Sequence, residues 1–426
     1  MSLIQDHPLR YALSNELHAR PFLALSSPGQ AAYLAIKQPE DAANRDRSAD
    51  RGQLLALLDR FGAKHPAPDA THYFGDLGQF KLKWEQHTEF VSYTAYVEGA
   101  AGEKFLGDAF DLFPKDWLQG IEGVCISSAL IRVEAMDGVE TVKQRIADWF
   151  VAESLAVSRI LDGAAVMAGD FRIGSDGHMR FALFIGPETG ARRIGRIVQR
   201  ICEIETYKTM SMLGFARVGE LSARLGKIDR DLEGLVNDMT SHEARSEATL
   251  AGLLQSASEL ERLEARNAFR FSATAAYQAL VAERISVLRE DRFEGRQTFA
   301  EFMARRFDPA MRTVRATEAR LRSMTARAIR AGELLRTAVD VDRSAQNQAL
   351  LESMDQRAGL QLRLQKTVEG LSVVAISYYA VNLVSYLAYP LSDPMGISKG
   401  IMTAALVLPV VALVWWAVHR IRKSME

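Results

Sequence analysis

Two long apolar runs near the end of the chain form its strongest hydropathy pattern. Residues 371–391 (LSVVAISYYAVNLVSYLAYPL) and 401–418 (IMTAALVLPVVALVWWAV) contain no charged side chain. A helix rises about 1.5 Å per residue, so each run can cross a hydrocarbon core of about 30 Å. A buried hairpin of a soluble protein is the alternative, but soluble helices of this length usually carry charges on at least one face. The pattern therefore predicts two C-terminal transmembrane helices within residues 370–418.

The charges that flank these runs predict the orientation of the hairpin. Lysines and arginines precede the first run and follow the second, whereas the segment between them offers one carboxylate, Asp393, and one cation, Lys399. Positive residues favour the cytoplasmic side, so we expect a multi-pass protein with both termini in the cytoplasm and residues 419–426 as a basic tail. Asp393 would then lie in an outward loop, at the mouth of any pore. The flanking cations are Arg357, Arg363, Lys366, Arg420, Arg422 and Lys423.

Residues 1–187 show the pattern of a mixed domain. Glycine and proline separate short alternating or apolar runs that are typical of strands, and amphipathic helical patterns lie between some of them. This combination predicts an N-terminal cytoplasmic α/β domain. The expected strands are 31–37, 79–99, 123–135, 164–173 and 179–186, and the expected helices are 51–64 and 139–163.

Residues 188–369 show the pattern of long helices. Proline is absent from 188–308 and from 310–389, and proline in a helix interior costs about 3 kcal/mol. Apolar residues recur at spacings of three and four, which is typical of coiled-coil packing and predicts a helical stalk that self-associates into a homo-oligomer. The pattern lapses at His242, and Pro309 predicts a corner. The repeating residues are Val218, Leu221, Leu225, Ile228, Leu232, Leu235 and Met239.

Composition and motifs exclude several function classes. The formal net charge is −1, so no overall positive charge draws the chain to nucleic acid. The arginine-rich stretch 301–330 could meet anionic lipid headgroups or nucleic acid, or form the salt-bridged face of a bundle. The two cysteines, Cys125 and Cys202, form no CxxC motif, and no basic-then-apolar leader opens the sequence. GxSxG, HExxH, P-loop and GxGxxG motifs are missing, so we expect no enzyme and no cofactor apart from a divalent cation.

The segment KWEQHTEF (83–90) is a candidate site. Strict alternation would place Glu85, His87 and Glu89 on one face of a strand, with Trp84 and Phe90 on the other. Imidazole and carboxylate groups both suit divalent transition metals, so the three could bind a metal ion. A paired or solvated polar face is the alternative.

A polar stripe in the first apolar run is a second candidate. Tyr378, Asn382, Ser385 and Tyr389 follow one another at spacings of four, three and four, which places them on one helix face. Polar groups in hydrocarbon need partners, so this face should meet protein or water. In an oligomer, Asn382 and Ser385 could line a pore; the alternative is that they hydrogen-bond between helices.

Two segments carry a resemblance to a known family. ELHARPF (16–22) and KWEQHTEF (83–90) look like the hallmark segments of an uncharacterised bacterial membrane-protein family, the domain of unknown function 3422 (DUF3422). The chain length and the paired apolar runs agree with it. The resemblance implies a protein of the bacterial inner membrane and no particular activity. Within ELHARPF, Arg20 could bind a carboxylate or phosphate, or the segment could be an arm that packs through Leu17 and Phe22.

The order of the parts resembles that of the CorA-like magnesium and zinc transporters. Those proteins also join a cytoplasmic domain and long helices to two C-terminal spans, and the layout implies a divalent-cation channel or transporter. They carry a Gly-Met-Asn triplet after the first span, where this sequence reads PLSDPMGIS (390–398). A membrane-anchored cytoplasmic scaffold or sensor without transport is the alternative function.

Overall fold

The chain divides into two units of structure. The computed structural model describes residues 4, 6–11, 13–14, 23–99, 110–239, 247–395 and 398–425. Unit 1 comprises Met1–Asn237 and Ala251–Ala331, and unit 2 comprises Asp238–Leu250 and Gly332–Glu426.

A nine-stranded sheet forms the core of unit 1. Its strands are β1 (Gly29–Lys37), β2 (His72–Asp76), β3 (Lys81–Gln86), β4 (Phe90–Glu98), β5 (Val124–Ala135), β6 (Ala156–Ile160), β7 (Ala165–Ile173), β8 (Met179–Ile185) and β9 (Asp291–Arg292). They lie in the order β2-β3-β4-β1-β5-β8-β7-β6-β9. Every neighbouring pair is antiparallel except β5 with β8. The sheet is therefore mixed, and hairpins dominate it rather than the βαβ crossovers of a regular α/β domain.

Long helices follow the sheet, as the sequence predicts. The helices are α1 (Arg47–Arg60), α2 (Lys115–Gln119), α3 (Val139–Trp149), α4 (Ala191–Asp238), α5 (Glu247–Ser286), α6 (Phe299–Arg306), α7 (Asp308–Met395) and α8 (Lys399–Met425). Their starts carry local signals: the Asp46 carboxylate accepts a hydrogen bond from the Ser48 amide at 2.8 Å, and Thr298 and Glu301 form a capping box. The predicted corner at Pro309 is confirmed, because α6 ends at Arg306 and α7 begins at Asp308. The expected bend at His242 lies outside the described residues.

The helix expected over 139–163 is wrong in its second half. Helix α3 ends at Trp149, where Phe150 adopts an extended backbone, and β6 then begins at Ala156. Within β6 the side chains of Val157 and Ile160 are buried while Arg159 is exposed. This run is so short that its apolar residues could be buried in a helical turn or in a strand. Its two β-branched residues favour the strand. The sequence analysis also left out the edge strands β2 and β9.

Different packing layers cover the two faces of the sheet. On one face, Leu82 and Trp84 of β3 pack with Leu54 and Leu58 of α1 in a buried apolar cluster. A second cluster continues this layer under α3, through Val142 and other apolar residues. On the opposite face, Lys83 and Glu85 line a narrow space together with residues of α4. Alternation along β3 therefore separates an apolar layer from a polar one.

Helices α4 and α5 and the first part of α7 pack as a bundle in unit 1. Five of the heptad residues are buried: Val218, Leu221, Leu225, Ile228 and Leu232. Leu235 and Met239 are half-buried. Arginines of the 301–330 stretch pair across the bundle, since Arg320 and Arg327 both contact Asp229 of α4, at 2.7 and 2.6 Å. Part of this stretch is thus the salt-bridged bundle face that the sequence analysis considered.

Unit 2 contains the apolar runs. Helix α7 has 88 residues and continues through Pro390 to Met395, so most of the segment expected to be a loop is helical. Helix α8 begins at Lys399 and holds Pro409 in its interior. Two helices of the described chain are thus long and apolar enough to cross a membrane.

Candidate functional site

The KWEQHTEF segment forms a tight hairpin between β3 and β4. Glu85 faces Ser92 across the hairpin, and the His87 amide donates to the Phe90 carbonyl at 2.8 Å, which closes the turn. The turn resets the alternation of faces. Phe90 lies beside Tyr207 on the α4 side, whereas Trp84 lies in the opposite apolar layer, so the expectation that these two share a face is wrong.

Each candidate metal ligand in the hairpin has another interaction. The Glu85 carboxylate pairs with the buried Lys83 ammonium at 2.9 Å. The His87 ring stacks on Phe90 with centroids 4.2 Å apart, and its Nε2 lies 3.5 Å from the Ser92 hydroxyl. The Glu89 carboxylate contacts both terminal nitrogens of Arg270 in α5. Across the described residues, no group of three or more His, Cys, Asp or Glu side chains is arranged to hold a metal ion.

Arg45 holds the hairpin from beneath. Its guanidinium donates to the carbonyls of His87, Thr88 and Phe90 at 2.8, 2.6 and 3.0 Å. It also pairs with Asp50 at 2.9 Å, and its side chain is only 4% exposed. A planar guanidinium presents five donors in a fixed fork, so it can satisfy a turn whose carbonyls converge. The hairpin is thereby fixed to α1 on one side and to α5 on the other.

A cleft of about 350 Å³ opens beside this hairpin. Its lining includes Arg47 at the start of α1 and His87 of the turn. Tyr207 of α4 and Tyr277 of α5 supply aromatic walls, with their rings stacked 5.6 Å apart at an interplanar angle of 24°. The volume falls within the usual range for small-molecule sites, about 300–1,000 Å³. The sequence analysis named only His87 among these residues.

The polar layer between the sheet and α4 is too narrow for a ligand. Its space measures about 10 Å³, about enough for one water molecule. Thr206 donates to the Tyr33 hydroxyl at 2.7 Å, and Arg284 pairs with Glu203 at the edge of the layer. Burial raises the pKa of the Cys202 thiol, so this cysteine remains protonated and unreactive near neutral pH. This layer joins the helix to the sheet.

The four residues of the polar stripe in the first apolar run differ in their burial. Ser385 is buried, Asn382 and Tyr389 are half-buried, and Tyr378 is 66% exposed. The buried face of this part of α7 instead carries Ser377, Val381 and Ser385, spaced four apart. The Ser377 and Ser385 hydroxyls form no hydrogen bond within the described structure.

Aromatic and basic side chains meet at both ends of α8. The Lys399 ammonium lies 5.5 Å from the centre of the Tyr389 ring, and the Arg420 guanidinium lies 5.1 Å from the Trp416 ring. Trp415 stacks on His419 at 5.4 Å. Amphipathic rings beside cations are typical of the membrane–water interface.

Two other candidates fall outside what the structure describes. The ELHARPF segment lies outside the described residues, and so does the side chain of Asp393. The sequence analysis missed Arg45, Arg270 and Tyr277. Their partners lie far away in the chain, 181 residues in the case of Arg270 and Glu89, so no local pattern indicates them.

Comparison with known protein families places the chain in one of them. A family model described as "Protein of unknown function (DUF3422)" matches residues 5–425. No curated protein matches the sequence.

Proposed function

The chain belongs to the DUF3422 family, proteins of unknown function, and we propose on its own geometry that it is an integral membrane protein whose two C-terminal helices anchor unit 1 to the cytoplasmic membrane. The proposal depends on one observation, which is the exposure of the most apolar 18-residue stretch in each helix. Only 17% of this stretch is buried in α7, and only 6% is buried in α8. The core helix of a soluble protein would be mostly buried.

The exposed apolar surface is large enough to decide the environment. Its members include Leu371, Val374, Tyr379, Leu383, Tyr386, Leu387, Ile401, Leu408, Leu413 and Trp415, each more than half exposed. Removing one such side chain from water contributes roughly 1.5–3 kcal/mol. Their transfer into hydrocarbon thus contributes about 10–30 kcal/mol. The packing within α7 and α8 leaves these side chains exposed and so does not supply this free energy. A lipid bilayer supplies this apolar environment on all sides.

The same charges that the sequence analysis used support an orientation. Basic residues precede the first span and follow the second, so both termini lie on the cytoplasmic side. The aromatic and basic pairs at Tyr389–Lys399 and at Trp416–Arg420 would lie in the two interfaces. The protein is then multi-pass, in the inner membrane of a bacterium, with its sheet unit in the cytoplasm.

Membrane fractionation with an alkaline wash tests the anchor. We expect the full chain to stay in the washed pellet, and a chain that ends at residue 370 to move to the soluble fraction. Leu387→Lys combined with Leu408→Lys puts two charges at positions 79% exposed in the spans and should reduce membrane retention. Leu334→Lys, at a position 67% exposed outside the spans, is the matched control and should have no effect. Release of the unsubstituted chain by the wash would refute the anchor.

Within this architecture we favour a cytoplasmic sensor or scaffold over a transporter. Ser385, the buried residue of the stripe, shares its helix face with Ser377 and Val381 rather than with the rest of the stripe, and no carboxylate lies within the spans. Replacing residues 371–418 by an unrelated two-span anchor should leave the cellular phenotype of the wild-type gene intact. Loss of that phenotype, with the chimera still in the membrane, would contradict a mere anchor.

A CorA-like cation channel is the second candidate. The observation that favours it is the continuity of α7, which runs from the bundle of unit 1 through the first span without a break. Two spans cannot enclose a pore, so this function needs a homo-oligomer. Native mass spectrometry in detergent gives the subunit number, and a monomer or dimer would exclude a central pore. For a larger ring, Asn382→Leu should abolish divalent-cation flux in liposomes, whereas Leu383→Ala should not.

A further inference from the structure

We propose that the cleft beside the His87–Phe90 hairpin binds a small aromatic anion, a planar ring that carries a phosphate or a carboxylate. The proposal names the class of ligand that the proposed sensor would bind. It rests on the sensor function only for the biological role of this binding, and the binding itself does not depend on that function. Ligand binding is measured on purified protein and membrane anchoring by fractionation, so the two can fail separately.

The space itself is the first argument. About 350 Å³ matches a ring with one charged substituent, whereas the narrow polar layer nearby holds no more than about one water molecule. The cleft is bounded by the hairpin, α1, α4 and α5, all of which belong to unit 1.

The walls of the cleft suit a flat ring. Tyr277 and Tyr207 stand nearly parallel and present ring faces, and Leu280 adds an apolar edge. Burial, and next the Glu89 carboxylate, raise the pKa of the Tyr277 hydroxyl, so the ring lies close to Glu89. Aromatic rings gain from stacking beyond the burial of area. Since Glu89 is in turn held by Arg270, the wall is organised before any ligand arrives.

The charge around the cleft selects an anion. Arg47 is exposed at its rim, and no carboxylate belongs to the lining. Next to the cleft, Arg45 and Arg270 are paired with Asp50 and Glu89, and Arg47 is the arginine that the lining offers to an anion.

Lys37, which faces Phe90 across the β1–β4 pair, is a further cation beside the hairpin. Its side chain is buried and donates to the Gln38 carbonyl at 2.7 Å, and it forms no salt bridge with any residue that the structure describes. Burial, and next the Arg270 guanidinium, lower the pKa of this lysine. An anion bound nearby would relieve this repulsion.

Thr71 and Thr88 complete the polar side of the cleft. Both lie in the lining, and hydroxyls can donate to phosphate or carboxylate oxygens. Arg47 can add a charge-assisted hydrogen bond, which is stronger than one between neutral groups. The polar side chains and the aromatic walls lie on different elements. A ligand that contacts both must therefore carry an aromatic ring and an anionic group.

Isothermal titration of the full chain in detergent with four probes tests the proposal. AMP carries a ring and a phosphate, indole-3-acetate a ring and a carboxylate, adenosine a ring alone, and inorganic phosphate a charge alone. We expect AMP or indole-3-acetate to bind at least about tenfold more tightly than both single-feature probes. Absence of binding by both aromatic anions up to about 5 mM, or equal binding of phosphate, would overturn the proposal.

Three variants locate the site. Arg47→Gln should weaken binding about tenfold or more, because it removes a charge-assisted contact. Tyr277→Leu should weaken it and Tyr277→Phe should largely keep it, since only the ring is required. Arg60→Gln, on the same helix but about 20 Å further along it, is the matched control and should bind as wild type. Thermal midpoints check that each variant is folded; unchanged affinity in folded Arg47→Gln would refute this location.

Discussion

The buried pair of Glu89 and Arg270 should be the most costly single interaction to break in the hairpin region. The Glu89 side chain is 2% exposed and that of Arg270 is 15% exposed. Removing one partner of such a pair leaves a charge without compensation, at a typical cost of about 3–5 kcal/mol. We therefore expect Arg270→Met to lower the free energy of unfolding by about 3–5 kcal/mol. Glu89→Gln should cost less, about 1–3 kcal/mol, because Arg270 can reach water.

The double variant separates the pair from its surroundings. With both charges gone, no buried charge remains, so the double variant should be clearly more stable than the sum of the single losses predicts. The coupling energy should be about 2 kcal/mol or more. As a matched control, the exposed pair of Arg224 and Glu259, 3.0 Å apart on α4 and α5, should show a coupling of about 0.2–1 kcal/mol.

Denaturant titration of the full chain in detergent measures these energies. The fluorescence of Trp84, which is fully buried in β3 next to the hairpin, follows unfolding of this sheet. A coupling of the Glu89–Arg270 pair that is no larger than that of the control pair would refute the reasoning. So would a larger loss from Glu89→Gln than from Arg270→Met.

Four further predictions follow from burial and backbone geometry. Gly214→Ala in α4 should destabilise the protein by about 1–3 kcal/mol, because the new Cβ would lie 2.3 Å from a threonine hydroxyl oxygen of α5. Gly226→Ala in the same helix meets nothing within 4 Å and should stabilise it by up to about 1 kcal/mol, as thermal midpoints would show. Burial raises the pKa of Glu290, so its contribution to stability should be full below its unfolded-state pKa and lost as pH rises through the folded-state pKa; Glu290→Gln should remove this pH dependence in unfolding titrations. Maleimide labelling of the native protein, read by mass spectrometry, should modify the exposed Cys125 before the buried Cys202.

The strands that the sequence predicts are those with a clear period or firm boundaries. β7 and β8 are largely apolar runs between glycines, β1 is an apolar run between Gly29 and Pro39, and the polar and apolar residues of β3 alternate. β6 has five residues and follows a helix with no glycine or proline between them, so its period could not be told from one more helical turn. β9 has two residues and exists only through its pairing with β6.

Only part of the hairpin region could be predicted from the sequence. The segment KWEQHTEF contains the turn of the β3–β4 hairpin, and the lack of charge in 371–391 and 401–418 predicted the two apolar helices. The roles of Glu85 and Glu89 could not be derived, because the alternation that put them on one face ends at the turn. The residue that organises the turn, Arg45, is one arginine among many in the sequence. Only the fold brings its guanidinium within 3.0 Å of three carbonyl oxygens.

Helix α7 is continuous, but its sequence suits different surroundings along its length. In its first part Met311, Val314 and Leu321 are buried at helical spacing, which fits a helix that packs on protein. From Arg336 to Ile376 no residue is buried. Up to residue 370 this exposed stretch mixes charged and apolar side chains, and beyond it the charges cease while the exposure continues. An exposed face without charge is unfavourable in water, whereas the same face with charges is tolerated, so the change in environment must fall close to residue 370.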